Sequence, residues 1–130
     1  MDADPSRLIF IALNVSDLPR SLAYYEAAFA IGFHTGDNEP QSDPWMGGHH
    51  AAYSWTDGAF LHFAIFPAHE PERPVSRDAQ VGFRVPDIAA AHARAVAAGA
   101  ETVHEPRPEP WGVTARYRDP DGNLVSLTEA

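Results

Sequence analysis

The chain has 130 residues, 45% of them hydrophobic, which suits one domain with a substantial core. Its formal charge of −9 argues against nucleic-acid binding, which relies on Lys and Arg to neutralise phosphates. Cysteine is absent, which excludes disulfides, thiolate metal sites and thiol nucleophiles. With no long apolar run and no basic leader, the expectation is a cytoplasmic protein without membrane contact.

Leu8 to Val15 is apolar and branched and reads as a buried strand. Ser16 or Asp17 then caps a helix whose apolar face is Leu18, Leu22, Tyr25 and Phe29, with Pro19 in the first turn and Gly32 placed to end it. A strand from about Gly32 to Gly36 precedes a polar, turn-rich loop over 37–48. His49 to Trp55 and Ala59 to Phe66 form a hairpin across Thr56-Asp57-Gly58. A Pro-rich, charged connector covers 67–78.

The order then repeats. Gln80 to Val85 is a strand, Asp87 caps an Ala-rich helix, and Gly99 stops it. Thr102 to Glu105 is a strand followed by a Pro-rich turn at 106–110. Val113 to Arg118 and Asn123 to Thr128 pair across a DPDG turn. The echoes are literal: DPW at 43–45 and EPW at 109–111, DG at 57–58 and 121–122, VSDL at 15–18 and VPDI at 85–88. Three echoes in one order, about half a chain apart, imply a duplicated unit. The expected fold is α+β: two tandem βαβββ modules with mixed sheets curling around a shared cleft. The first module covers about 8–66 and the second about 79–130, in a single domain over 1–130.

The stretches IALNVSDLPRSLAYYEAAFAIGF, VGFRVPDIAAAHARAVAAGAE and PWGVTARYRDPDGNLVSL resemble the vicinal oxygen chelate superfamily of glyoxalases, bleomycin-resistance proteins and extradiol dioxygenases. The match covers most of the chain, failing in the 37–52 loop and the connector. In metal-using members, four symmetry-related positions carry His, Glu or Gln. By resemblance these positions fall on Phe10, His62, Gln80 and Ser126, with His62 taken as the counterpart of Ser126. Phenylalanine offers no donor and serine seldom binds a divalent ion, so neither a metal nor any other cofactor is expected. The resemblance places the chain nearest the metal-free bleomycin-resistance branch and implies a homodimer.

His62 reads as a hydrogen-bonded cleft or core histidine that shares a strand face with Phe60, Ala64 and Phe66. Aromatic residues supply stacking surfaces for conjugated ligands, and Trp45 and Trp111 occupy equivalent places in the two modules. The residues expected to line the ligand site are Phe10, Trp45, His50, Trp55, Phe60, His62, Gln80, Arg84, Trp111 and Ser126. Adjacent strand residues point oppositely, so His49 and His50 do not grip one ion. Arg84 enters the cleft beside Gln80 and Gly82, whereas Arg116 and Glu129 read as surface residues. No catalytic residues are assigned, because no nucleophile elbow or phosphate loop is present. The expected function is metal-free binding of a partly aromatic small molecule, an antibiotic or a metabolite. The alternatives are a metal-dependent lyase, isomerase or dioxygenase of the same superfamily, and a protein-interaction domain with a filled cleft.

Overall fold

A computed structural model describes residues 5–38 and 48–129. Each half is a βαβββ module. The first contains β1 (Phe10–Val15), α1 (Leu18–Phe29), β2 (His34–Asn38), β3 (Gly48–Trp55) and β4 (Leu61–Pro67). The second contains β5 (Gln80–Val85), α2 (Ile88–Ala97), β6 (Glu101–Glu109), β7 (Gly112–Arg118) and β8 (Leu124–Glu129). The sheets are ordered β1-β4-β3-β2 and β5-β8-β7-β6. Within each, the first strand pairs in parallel with the last and the other ladders are antiparallel. Among the described residues β1 and β5 are therefore edge strands, and the outer side of β1 meets the connector where Asn14 bonds Ser76.

The two helix starts follow the expected chemistry. The Asp17 carboxylate accepts from Arg20 N–H at 3.2 Å, and the Asp87 carboxylate from Ala90 N–H at 3.1 Å. Glu129 adds a second acceptor to α2, taking the Ile88 N–H at 2.8 Å, so it supports the helix instead of sitting free on the surface. The helix ends divide. Gly99, at φ 82°, follows α2 as expected, but α1 closes two residues before Gly32, with Ala30 itself left-handed at φ 61°. The Pro-rich stretch at 106–110 is not a turn. Pro106 and Pro108 lie inside β6, where the missing N–H is tolerated because this edge strand has a neighbour on one side only. Two register shifts against β7 absorb the irregularity.

Odd-numbered residues of the first sheet turn toward α1. Leu13, Val15, Ala51, Phe63 and Ile65 pack with Leu18 and Tyr25, and Val125 of the second sheet joins the same cluster. A second cluster runs the other way, joining Ala28 of α1 to Ile88, Ala95, Ala115, Tyr117 and Leu127. The modules thus share their apolar core. No helix among the described residues is long and apolar enough to cross a membrane.

The turn between β7 and β8 joins the modules through polar contacts. Asp119 is buried, and its carboxylate accepts from the N–H groups of Asp121 and Asn123 at 2.9 Å each. The same carboxylate accepts from the Tyr25 hydroxyl at 2.8 Å and from Asn123 Nδ2 at 3.1 Å. Asp121 takes the N–H and hydroxyl of Ser16, at the entry to α1. Asn123, fully buried, donates to the carbonyl of Ser76 and accepts from Ala79 N–H. Burial, reinforced by the Asp119 charge, holds the Tyr25 hydroxyl far above its ordinary pKa, so it stays a neutral donor.

Candidate functional site

A cleft of about 720 Å³ lies between the modules. One wall is the free edge of β5, from Gln80 to Pro86, and the other combines Ile11, Tyr53, Trp55, Leu61 and Phe63 of the first sheet. Phe29, Ala30 and Ile31, from the end of α1 onward, complete the lining. Phe83 is the centre of the aromatic surface. Its ring centroid lies 6.0 Å from Trp55, 5.9 Å from Phe63 and 6.5 Å from Phe29. Tyr53 meets Trp55 edge-on at 4.8 Å. Rings held at such angles present both faces and edges to a flat guest. The lining also holds polar groups: Gln80 and Arg84 from β5 and Asp57 from the turn before β4.

Of the residues expected from the sequence, Trp55, Gln80 and Arg84 line this cleft. Phe10, His50, Phe60 and His62 do not, because strand alternation sets the even-numbered positions of the first sheet on its other face. There they form two ring stacks. Phe10 and Phe60 stack on His62 at 5.7 and 6.3 Å, and His50 stacks on Phe66 at 5.1 Å. Between the stacks, Ala12, Ala64 and Ala52 form a row across three strands. His62 Nδ1 is 2.6 Å from the Ser54 hydroxyl, and its neighbours in the row are Phe10 and Ser54. A serine against an imidazole is the pairing used to activate a nucleophile, but here it lies across the sheet from the cleft.

Trp111 is 57% exposed at the turn between β6 and β7, where its indole N–H bonds Thr114 Oγ1 at 3.1 Å. Its expected counterpart, Trp45, lies outside the described residues, as does most of the 37–48 loop. Ser126 faces away from α2 in the second sheet, beside Gly82 and Arg116. His92 Nδ1 is 2.6 Å from the Tyr117 hydroxyl, whose pKa burial pushes up to about 12.

Register also corrects one expected equivalence. Phe10 is the counterpart of Gln80, just as the helix cap Asp17 is of Asp87. Phe10 pairs with His62, but Gln80 pairs with Leu124. The counterpart of His62 is therefore Leu124, and that of Ser126 is Ala64, which faces Ala12 as Ser126 faces Gly82. The four symmetry-related positions become Phe10, Ala64, Gln80 and Ser126, a poorer donor set than the sequence suggested and one that does not fit a divalent ion. Among the described residues, no three His, Cys, Asp or Glu side chains gather where they could hold a metal.

Sequence reasoning missed Phe83 and Phe29 as cleft residues. Both carry the apolar pattern of core positions. Only the placement of β5 at a sheet edge exposes Phe83 to the cleft.

The family model of the glyoxalase/bleomycin resistance protein/dioxygenase superfamily matches residues 7–127. No curated protein matches the chain. Among solved structures, TnmS3, described as an antibiotic binding protein from Streptomyces sp. CB03234, is 23% identical with a TM-score of 0.71, covering 98% of each chain. A glyoxalase/bleomycin resistance protein from the same organism is 25% identical, with a TM-score of 0.65 over 95% of this chain and 99% of its own. TioX from Micromonospora sp. ML1 is also 25% identical, with a TM-score of 0.65 over 95% of this chain and 98% of its own. With two capped βαβββ modules, a buried DPDGN turn and a family match over nearly the whole length, the chain belongs to the glyoxalase/bleomycin resistance protein/dioxygenase superfamily.

Proposed function

We propose that this protein binds a planar, partly aromatic small molecule, an antibiotic or a metabolite, in the cleft between its modules and without a metal. The observation that carries the reading is the cleft itself: its volume falls in the range of small-molecule sites, and its lining includes Tyr53, Trp55 and Phe83, backed by the buried Phe63. A relative described as antibiotic binding supports the same class of ligand. The metal-free reading is supported by the donor set, since phenylalanine and alanine at two of the four family positions offer no lone pair. The test is a thermal-shift screen with planar aromatic antibiotics. A ligand at a hundredfold its dissociation constant stabilises the folded chain by about 2.7 kcal/mol. Trp55→Ala should abolish most of that shift, and prior dialysis against a chelator should leave it unchanged. A shift that survives Trp55→Ala, or disappears with chelation, overturns the reading.

We further propose that two chains pair. The edge position of β1 in its sheet supports it, because an edge strand can accept another strand. Sedimentation at twice the 14.2 kDa chain mass is the expected result, and a monomer at all concentrations overturns it.

A further inference from the structure

Successive residues of a strand turn their backbone N–H and C=O groups to opposite edges, so an edge strand bonds its sheet through every second residue only. In β5 those are the odd-numbered residues. Leu124 N–H donates to the Ala79 carbonyl at 2.7 Å, and Gln80 pairs with Leu124, a register that commits Val81, Phe83 and Val85 to β8. The N–H and C=O groups of Gln80, Gly82 and Arg84 therefore face the other way, where none of the described residues bonds them. The corresponding side of β1 is met at Asn14. There Ser76 N–H donates to the Asn14 carbonyl at 2.8 Å, and the Ser76 hydroxyl accepts from Asn14 N–H at 2.9 Å.

The open edge of β5 is what the cleft meets. A cavity lying on one face of a strand touches alternate residues, whereas this cleft is lined by every residue from Gln80 to Pro86, as an edge-on approach requires. Gly82, at the middle of the edge, is exposed and carries no side chain to shield its backbone. The Ser126 hydroxyl, 2.8 Å from where a Cβ would stand, holds the position to glycine. The same cleft contains Tyr53 and Trp55 of β3, so a guest meets aromatic rings and a row of amide groups together. A volume of about 720 Å³ suits a drug-sized molecule, which selects a short ligand over a strand of a second copy.

We propose that the ligand is an aryl-capped peptide in extended conformation, which adds to the β5 edge as a short strand while its ring lies against Trp55. In the antiparallel sense, one ligand residue opposite Gly82 exchanges N–H···O bonds with both of its backbone groups. The next outward groups, on Gln80 and Arg84, stand about 6.8 Å away along the strand, which is the two-residue repeat of any extended chain. Strand addition draws affinity from main-chain bonds and selectivity from the pocket beside them, and here that pocket is aromatic. This assignment rests on the cleft being the ligand site.

The test is amide hydrogen exchange by NMR on the full chain, with 2-naphthoyl-glycyl-glycine amide as the probe. In the free protein Gln80, Gly82 and Arg84 should exchange at least about tenfold faster than Val81 and Phe83, which donate to β8. Slow exchange at the even-numbered positions means that the edge is already covered, by a second copy or otherwise, and overturns the proposal. Saturating probe should slow Gly82 by about tenfold, and an unchanged rate overturns the pairing. Calorimetry then compares the probe with its singly N-methylated isomers, one at each glycine. Neighbouring N–H groups of an extended ligand point to opposite edges, so one methyl should weaken binding about tenfold and the other less than about twofold. Equal effects of the methyl groups overturn the strand addition. If 2-naphthamide binding is still lost with Trp55→Ala, the aromatic cleft stands without it. Alternation between the isomers that persists at full affinity in Trp55→Ala keeps the edge and overturns the cleft reading. No binding of any probe at millimolar concentration overturns both.

Discussion

The two modules carry the same Asp-Gly turn before their last strands and use it in opposite ways. Between β3 and β4, Thr56, Asp57 and Gly58 are exposed, and Asp57 borders the cleft. Between β7 and β8, Asp119, Asp121 and Asn123 are buried and bonded to Tyr25, Ser16 and Ser76. A local turn signal fixes a hairpin but not what the hairpin meets. Duplication gave the fold two such turns. One holds the halves together, and the other borders the cleft.

Substitution should separate the two turns clearly. Asp119→Ala removes the acceptor of four hydrogen bonds and leaves their buried donors unpaired. The expected loss is about 3–5 kcal/mol in urea unfolding, whereas Asp57→Ala should stay within about 0.5 kcal/mol. Comparable losses at the two positions would end the distinction.

Tyr25→Phe tests one arm of the buried turn, at about 1–3 kcal/mol. It also has a signature in alkali. The folded pKa of Tyr25 lies above its ordinary 10.0, so the neutral hydroxyl contributes stability that is fully present below pH 10. That contribution is lost as pH rises toward the folded value, by about 1.4 kcal/mol per unit. Tyr24 and Tyr117 are raised as well, so the decline should be steeper than one group gives. The Tyr25→Phe variant should decline less steeply than the parent, and equal slopes would remove Tyr25 from the account.

The smallest contrast lies in the glycines. Gly122 has φ 90°, and Gly122→Ala should cost about 1 kcal/mol. Gly58 has no such backbone demand and open space around it, so Gly58→Ala should be close to neutral in thermal unfolding.

Most of the fold was legible because periodicity and caps are local. Gln80 to Val85 matches β5, and both aspartate caps sit where the sequence put them. The misreadings were matters of tertiary context. Pro106 and Pro108 suggested a turn until β6 proved to be an edge strand, and Ala30 took the left-handed position that Gly32 was expected to serve. The lining of the cleft was less legible still. Alternation correctly grouped Gln80, Gly82 and Arg84, but nothing in the chain told which face of the first sheet borders the cleft. Phe10, Phe60 and His62 were assigned to it, and Tyr53 and Phe63 provide the wall instead. A two-residue offset in the repeat, invisible without hydrogen-bond register, misplaced the partner of Ser126.

The clasp around Asp119 has a consequence for the connector. Glu70, Pro71 and Glu72 are exposed, while Ser76, a few residues on, is tied to Asn14 and Asn123. The backbone through 70–72 closes only a local bridge, in which His69 and Arg73 exchange N–H···O bonds, and it carries none of the residues of the shared core. Two polypeptides divided there, made separately and mixed, should find each other and rebuild the same core.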